Sequence, residues 1–594
     1  MNWAGTLHRA SPAAAASARS RLPQAASDRL WHRLGILVLL AAAAVAALTF
    51  RDYGVTWDED AHNWYGVLAL QYYVSGFADR RALDFNDLVN YGALFDMLAA
   101  ALHRVSPFGI YETRHLLNTA FGLLGLAGVW RLGSALGGRR AGFFALVFLL
   151  LTPNYYGQMF NNPKDIPFAV GGVWASYYIV RLLPSLPRPP LRLVVKLGLA
   201  VGLALGVRIG GFLFLCYLGL ILALSAVWQG AISGGLGPRR LRVAVAAGVE
   251  SLWRVLLPVG AIGFAVMLLF WPWGQQDPIA NPLHALAFFS HQIFPYYTLF
   301  DGRFVPAFDL PWSYLPTYIV LALPELVLAL LGASLVLAVA LLAQSWRRGV
   351  FGERRVAVLG LFLLAFSIVF PVVYAIAIKA VLFDGMRHFI FVLPPIAAAA
   401  GLAMDRLLQA LSGRRFRHAV YAALGLYATA HLTVMVLLHP DEYVYYNALV
   451  GGVAGAQRRF KLDYWANSYA EAVRGLQTYL QKQYGADYKK RQFTVAVCGP
   501  TNSAAYYFPE NFHELRQREN ADFFIAFTKD NCDRALPGDS VYRVERMGAL
   551  LSVVLDRRRI LAAKRVAKEP LAHVAPPPAG AAPNRTGGTK AHGI

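Results

Sequence analysis

Three consecutive carboxyl side chains follow the first apolar run of the sequence. Asp58, Glu59 and Asp60 come a few residues after the run that ends at Phe50. Adjacent carboxylates repel one another, so at least one of them tends to have a raised pKa unless a cation or hydrogen bonds compensate. At the mouth of a membrane cavity, such a carboxylate could take the proton from an attacking hydroxyl. A solvated loop face without chemistry is the alternative interpretation.

A second candidate group lies at residues 161–167, at the end of a short polar segment, 154–165, that is predicted to be an outward loop. Pro163 and Pro167 restrict the backbone on either side of Lys164 and Asp165. The prolines would hold a cation and a carboxylate in place where an apolar run begins. An ordinary helix start with Asp165 as its cap is the alternative.

Two arginines at the ends of apolar runs form the third candidate group. Arg387 is followed by His388 and then by an apolar run, and Arg208 separates two such runs. An arginine at head-group height can pair bidentately with a phosphate, which a lysine does less specifically. Arginines that only reach from a helix end to the membrane surface would look the same in sequence.

The elements that must position these residues are apolar runs of transmembrane length. A span needs about 20 apolar residues, or somewhat fewer with charged flanks. The chain is 57% hydrophobic and 15% charged over 594 residues, so most of it is predicted to lie in a membrane. We predict a polytopic α-helical protein with eleven spans, at residues 35–50, 115–136, 141–156, 166–183, 193–207, 211–228, 255–271, 314–343, 356–379, 388–404 and 419–438.

Charge asymmetry predicts the orientation of these spans. Basic clusters at 139–140, 188–196, 239–242, 347–355 and 406–417 fall on the same side as the basic tail 1–33, which we place in the cytoplasm. The loop at 51–113 is acidic and faces outward. Arg208 and Arg387 also fall on the outward side, against the usual bias, which suggests an anionic ligand there. The net charge of +22 therefore reflects topology and excludes a nucleic-acid partner.

The segments outside the spans show further order. Residues 64–74 and 94–105, separated by Gly76, predict two interfacial helices in the first loop. Residues 439–560 predict a small extracytoplasmic α/β domain, with a helix at 470–484 and strands at 493–498, 523–527 and 550–555. Residues 575–594 are rich in Pro, Ala and Gly, which predicts disorder.

The three cysteines fit this arrangement. Cys216 lies within an apolar segment and is expected to pack there, and Cys498 and Cys532 could pair in an oxidising compartment. Just before this domain, the stretch 439–465 is dense in Tyr, Trp and Asp. It could contact a sugar, or serve as a structural collar between bundle and domain.

At these residues the sequence resembles the membrane glycosyltransferases of the C superfamily, especially the protein O-mannosyltransferase and lipid A aminoarabinose transferase group. The likeness covers most of residues 35–438. Its best matches are Asp58-Glu59 after the first span, the acidic-loop helices behind them, Asp165 in the second outward loop, and Arg387-His388 ahead of Pro394-Pro395. His388 stands where that group has a tyrosine.

The resemblance implies a GT-C-like domain at residues 34–438, with Asp58 as the catalytic base and Glu59 as its neighbour. Asp165 would be a second acidic site residue, and Arg387 a candidate for the donor phosphate. Lys164, Arg208 and His388 complete the expected substrate-binding set. Some relatives bind a divalent cation at such carboxylates and others are described without one, so the metal and any other cofactor are left unknown.

These residues suit the transfer of a sugar from a polyprenyl phosphate to a hydroxyl at the outer face of a bacterial inner membrane. Cations would hold the phosphate while a carboxylate takes the hydroxyl proton, and a single displacement would invert the anomeric centre. The acceptor could be a lipid, a glycan or a protein. A transporter or flippase is the alternative, although it would place ionisable groups near mid-membrane and often shows inverted repeats. A scaffold that displays the C-terminal domain is the third possibility.

Overall fold

The computed structural model of the protein describes residues 12–233, 237–291, 296–347, 354–411 and 413–568. The disordered tail predicted for 575–594 lies outside the described residues, as do the first eleven residues of the predicted basic tail. From Pro12 onward the tail is continuous with the first long helix.

Helices make up most of the described chain. In chain order they are α1 (Pro12–Thr49), α2 (Glu59–Val74), α3 (Leu94–His103), α4 (Ile110–Gly137), α5 (Arg139–Leu150), α6 (Pro153–Asn161), α7 (Asp165–Leu182), α8 (Leu191–Leu205), α9 (Phe212–Ile232), α10 (Pro238–Ser251), α11 (Leu257–Leu269), α12 (Pro272–Gln276), α13 (Ala280–His291), α14 (Tyr314–Ala322), α15 (Glu325–Arg347), α16 (Arg355–Ala377), α17 (Leu393–Ala410), α18 (Arg414–Leu438), α19 (Gly452–Ala456), α20 (Tyr469–Tyr484), α21 (Thr501–Ala505) and α22 (Arg558–Lys568).

Nine helices within the described ranges are long and apolar enough to cross a membrane, so the prediction of a polytopic helical protein is confirmed. Three of the eleven predicted spans differ. The run at 141–156 is divided into α5 and α6, which are bent by 67° at Thr152-Pro153. The run at 193–207 forms α8, which has only 15 residues. The 314–343 run is also broken, because Leu323 is extended before Pro324.

Helix α6 corrects one sequence expectation. Residues 154–165 were expected to form a short polar loop, but every residue of α6 is buried in the bundle. Its polar side chains find partners there: Asn154 donates to the backbone of Tyr445, and Gln158 accepts from Asn162 at 2.6 Å. Buried polar groups that are hydrogen-bonded in this way can lie at membrane depth.

Small residues bring the central helices of the bundle close together. Helix α17 packs against α5, and a side chain at Gly401 would lie 2.6 Å from the backbone oxygen of Ala141. Membrane helices associate through such close backbone approach, since burial of apolar surface gives no net gain in lipid. The segment that contains α17 is therefore held at a fixed depth, together with Arg387 at its start.

The first loop contains the two predicted helices. Helix α2 ends in a turn that contains Gly76, with φ +64°, and α3 packs back against α2. Gly66 allows this contact, because a side chain there would meet the backbone oxygen of Asp96 at 2.3 Å. The close approach places the inward faces of α2 and α3 beside one another.

After α18 the chain forms a small α/β domain. Its sheet contains β3 (Phe493–Val497), β4 (Phe512–Glu514), β5 (Phe523–Phe527), β6 (Asp539–Arg546) and β7 (Ala549–Asp556), in the order β4-β3-β5-β7-β6. Strand β3 is parallel to β4 and β5, while β7 is antiparallel to β5 and β6. The three predicted strands and the predicted helix, α20, are confirmed.

Two segments lie where the bundle and the domain meet. A hairpin of β1 (Tyr297–Phe300) and β2 (Arg303–Pro306) follows α13, and the collar segment, residues 439–467, follows α18.

Cys498 and Cys532 form a disulfide with their Cα atoms 6.0 Å apart. Cys216, expected to pack inside the bundle, lies on the exposed face of α9 instead.

Candidate active site

A polar cleft lies at one end of the bundle, between the first loop, the start of α7, the segment before α17 and the collar segment. We call it the acidic-loop cleft. Most of the predicted substrate-binding residues meet here although they are far apart in sequence. Its lining consists of Thr56, Asp58, His62, Tyr91, Asn161, Asn162, Pro163, Lys164, Asp165, Arg208, Arg387 and Trp465.

Asp58 lies at the start of α2 and pairs with Arg387. Arg387 Nη1 donates to Asp58 Oδ2 at 3.1 Å, and 43% of the Asp58 side chain is exposed. Burial alone would raise the pKa of Asp58, but the charge and hydrogen bond of Arg387, together with His62, outweigh this effect and lower it. Asp58 is therefore ionised at neutral pH, and its carboxylate reaches the open part of the cleft.

Arg387 is positioned by the turn before it and by two aromatic rings. Asp384 and Gly385 both have positive φ, and Gly385 N donates to the hydroxyl of Tyr314 at 3.2 Å. The guanidinium then lies 4.9 Å from the ring centroid of Phe383 and 5.1 Å from that of Trp465. Stacking of this kind restricts an arginine to one orientation.

Asp165 and Arg208 form the second ion pair of the cleft. Arg208 Nη2 lies 2.8 Å from Asp165 Oδ1, and Asn162 donates to Asp165 Oδ2 at 2.9 Å. The side chain of Asn162 also accepts from the backbone N of Asp165, the first residue of α7. Asp165 begins α7 but does not cap it as the alternative interpretation expected, because its carboxylate is engaged by Arg208 and Asn162 instead.

Lys164 lines the cleft, but its charge is already compensated. Lys164 Nζ lies 2.7 Å from Asp96 Oδ2 and donates to the backbone oxygen of Gly92. Asp96 is fully buried, pairs with Arg114 at 2.7 Å and faces His62 Nδ1 at 3.5 Å. Burial alone would raise the pKa of Asp96, yet these cationic neighbours hold it well below its usual range. We call these four side chains the Asp96 cluster.

Glu59 and His388 are placed outside the cleft lining. Glu59 is 1% exposed and accepts from the backbone N and the hydroxyl of Thr56, at 2.8 and 3.0 Å. It also pairs with His115 at 3.0 Å. His388 packs edge-on against Phe383, with ring centroids 4.9 Å apart. Glu59 is thus in a position to shape the loop beside Asp58.

Asp60 links the first loop to the C-terminal domain. Its carboxylate accepts from the hydroxyl of Tyr111 at 2.8 Å and from Asn502 at 2.7 Å. A second link is close by, where Trp57 N donates to the backbone oxygen of Trp465 at 3.1 Å. The domain is therefore in direct contact with the loop that carries Asp58.

Sequence reasoning did not single out His62, Tyr91 or Asp96. His62 falls one helical turn after Asp58, so helical periodicity could have placed it on the cleft side of α2. Tyr91 and Asp96 gave no comparable signal, because an acidic residue in an acidic loop looks like part of the outward charge bias. Only the approach of Lys164 distinguishes Asp96.

The carboxylates of the cleft do not fit a divalent cation. In the described part of the chain, no group of three or more His, Cys, Asp or Glu side chains is arranged to hold a metal ion. Asp58 and Asp165 each pair with an arginine, which compensates the negative charge that would attract a divalent cation. The donor set matches an anionic ligand instead.

Comparison with known proteins gave matches of structure only. No family model and no curated protein matches the chain. The structure of ArnT from Cupriavidus metallidurans in the apo state matches with 14% identity and a TM-score of 0.44, over 89% of this chain and 98% of that chain. ArnT bound to undecaprenyl phosphate matches with 14% identity and a TM-score of 0.42, over 88% and 98%.

A third match is the archaeal oligosaccharyltransferase AglB from Archaeoglobus fulgidus, in complex with an inhibitory peptide and a dolichol-phosphate. Its identity is 14% and its TM-score 0.40, over 83% of this chain and 69% of that chain. Matches with these identities and TM-scores carry no further conclusion.

Proposed function

We propose that the protein is an inverting glycosyltransferase, which moves a sugar from a polyprenyl-phosphate donor to a hydroxyl acceptor at the outer face of a bacterial inner membrane. The observation that carries this proposal is the set of unsatisfied donors around the acidic-loop cleft. The Nε atoms of Arg208 and Arg387 and the indole N of Trp465 are buried, and each lacks a hydrogen-bond partner among the described residues. Buried donors normally have acceptors, so these three suit an anionic ligand.

Phosphate is the anion that fits them best. Both arginines keep one edge on a carboxylate and leave Nε–H without an acceptor. A phosphate oxygen would satisfy these donors, and charge-assisted bonds to phosphate are among the strong hydrogen bonds of proteins. Lys164 contributes positive potential, but its ammonium is held by Asp96, so we assign direct phosphate contact to the two arginines.

Asp58 is the residue that we assign as the base. Its Oδ2 accepts from Arg387, and its partial exposure allows the other oxygen to meet an acceptor hydroxyl. Asp165 is more buried, with a side chain that is 5% exposed, and both of its oxygens are engaged by Arg208 and Asn162. We therefore assign Asp165 to the orientation of Arg208. Glu59 supports the loop rather than the reaction.

The proposed step is one displacement. The acceptor oxygen attacks the anomeric carbon from the face opposite the phosphate, the bond from that carbon to the phosphate oxygen breaks, and the phosphate leaves with the bonding electrons. The hydroxyl proton passes to Asp58. Because the phosphate leaves as a weak base stabilised by two arginines, a general acid is unnecessary, unlike in glycoside hydrolysis. The anomeric configuration is inverted.

The substitution Asp58→Asn tests this proposal in the purified protein, in bilayers that contain a polyprenyl-phosphate sugar. We expect the variant to bind the donor, while the formation of new glycosidic bonds falls by about 10²- to 10⁴-fold, the usual contribution of a general base. Asp84→Asn is the matched control, because Asp84 is an exposed carboxylate of the same loop. Undiminished transfer by Asp58→Asn would remove Asp58 from the mechanism.

The same bilayers distinguish an enzyme from a transporter. If the wild-type protein moves the lipid-linked sugar across the bilayer and forms no new bond with any acceptor in a membrane extract, the transferase proposal is wrong. If a new glycosidic bond does form, mass spectrometry of glycoconjugates from a deletion strain identifies the sugar and the acceptor, because the modified acceptor is missing from that strain.

A further inference from the structure

A second polar cavity lies where the C-terminal domain meets the bundle. It has a volume of about 230 Å³ and is formed by the β1–β2 hairpin, the collar segment and the loop after β5. We call it the basic cleft. Its polar lining includes the side chains of Arg458, Lys461, Tyr464, Lys529, Asp530 and Arg534. None of them has a part in the transfer step described above.

Positive charge predominates among the side chains that line the basic cleft. Four of the lining residues are Lys or Arg and two are Asp. One of the carboxylates, Asp463, is 1% exposed and accepts from Ser468 and from two backbone N–H groups of the collar segment. The other, Asp530, lies at the rim with its side chain 54% exposed. Among the lining side chains, cations therefore outnumber carboxylates by two.

Two buried carboxylates pair with three of the four cations. Lys461 and Lys529 both lie 3.3 Å from the buried carboxylate of Asp384, and Arg458 pairs with Asp533. Arg534 is exposed, and no carboxylate partner is found for it in the described part of the chain. Because Lys461 and Lys529 share the single negative charge of Asp384, that carboxylate compensates only one of them, and the exposed Arg534 adds a further positive charge. The fixed lysines and Arg534 together favour binding of a small anion.

The basic cleft shares a wall with the acidic-loop cleft. Tyr464 lines the former and Trp465 lines the latter. Lys529 Nζ lies 4.7 Å from the ring centroid of Trp57, the residue before Asp58. A ligand anchored in the basic cleft could therefore extend past this wall to the proposed base.

We propose that the basic cleft binds the anionic part of the acceptor, a phosphorylated or carboxylated sugar, and so presents one of its hydroxyls to Asp58. This inference rests on the proposed function, because it assumes that a hydroxyl acceptor is used. It gives the C-terminal domain a part in acceptor recognition, since Lys529 and Arg534 both come from that domain. The Cys498–Cys532 disulfide fixes the loop that carries them.

Binding of glucose 6-phosphate to the purified full-length protein, measured by calorimetry with glucose as the neutral control, tests the proposal. We expect saturable binding of the phosphosugar and binding of glucose that is at least about tenfold weaker. Arg534→Glu should weaken phosphosugar binding at least about tenfold. Arg516→Glu makes the same charge change at an exposed arginine of the same domain, outside the cavity, and should leave the affinity unchanged.

Several results would overturn the inference. These are absence of saturable binding, equal binding of glucose and glucose 6-phosphate, or unchanged affinity in Arg534→Glu. Displacement of the phosphosugar by undecaprenyl phosphate would assign the cavity to the donor instead. These outcomes are separate from the transfer assay, because Asp58→Asn should bind glucose 6-phosphate like the wild type. Displacement by phosphatidylglycerol bilayers would assign the cavity to a lipid head group and would also overturn the inference, whereas the absence of displacement supports an anionic sugar.

Discussion

The substitution Asp96→Asn should destabilise the protein because it leaves buried positive charge without a counter-ion. Asp96 is 0% exposed, and the side chains of Lys164 and Arg114 beside it are 5% and 1% exposed. Arg114 Nε and Nη1 have no other partner among the described residues, so its charge depends on Asp96. Removal of one member of a buried ion pair costs about 3–5 kcal/mol in the free energy of unfolding.

A double-mutant cycle with Lys164→Met makes the prediction quantitative. Asp96→Asn alone leaves two cations without an anion, whereas the double variant leaves only Arg114. The double variant should therefore be less unstable than the sum of the single variants, by about 1–3 kcal/mol. The assay is reversible unfolding in mixed detergent micelles, monitored by tryptophan fluorescence.

Asp84→Asn is the control for this cycle, because it changes an exposed carboxylate of the same loop. It should shift the free energy of unfolding by less than about 0.5 kcal/mol. If the effects of Asp96→Asn and Lys164→Met add within about 0.5 kcal/mol, the two side chains are not coupled, and the account of the Asp96 cluster is wrong.

Three further predictions concern the ion pairs around the site. Arg387→Lys should weaken the binding of undecaprenyl phosphate about tenfold by equilibrium binding, because a bidentate contact is lost, whereas the exposed Arg543→Lys should not. The lowered pKa of Asp58 should keep kcat/KM constant into acidic pH, and Arg387→Met should move the acid limb to higher pH; an unmoved limb would contradict the pairing. His439, the first residue of the collar segment, lies 2.8 Å from the carboxylate of Glu442 and 3.0 Å from that of Asp52. Burial lowers the pKa of His439, but these two carboxylates outweigh this and raise it to about 9. Its stabilising charge is therefore complete below about pH 6.5 and lost as pH rises through 9. His439→Gln should reduce stability by about 2–3 kcal/mol at pH 6 and much less at pH 10, as measured by the same unfolding assay.

Hydropathy and charge bias predicted the helical bundle because both act on single segments of the chain. The structure differs from the predicted spans where the helix is interrupted locally, because hydropathy averaged over a window does not detect such an interruption. Thr152 is extended before Pro153, so one apolar run became the bent pair α5 and α6. In the domain, β3, β5 and β7 were visible as apolar runs, while β6 alternates buried and exposed residues too irregularly to stand out.

The site was predictable as a set of residues but not as an arrangement. Asp58, Asp165, Arg208 and Arg387 were singled out, because carboxylates and outward arginines at span ends are unusual in single segments. Their pairing was not, since 329 positions separate Asp58 from Arg387. Lys164 was expected to contact the substrate, and only the fold reveals that it faces Asp96.

The backbone of the Asp58 loop is tied to residues that are synthesised much later. Gly54 N donates to the side chain of Asn467, Val55 N donates to the hydroxyl of Tyr507, and Trp57 N donates to the backbone of Trp465. During biosynthesis, the first loop therefore reaches its final geometry only after most of the chain has emerged from the ribosome and the C-terminal domain has folded. A chain truncated before the collar segment would keep its apolar spans but lack these backbone partners, so its cleft would be incomplete.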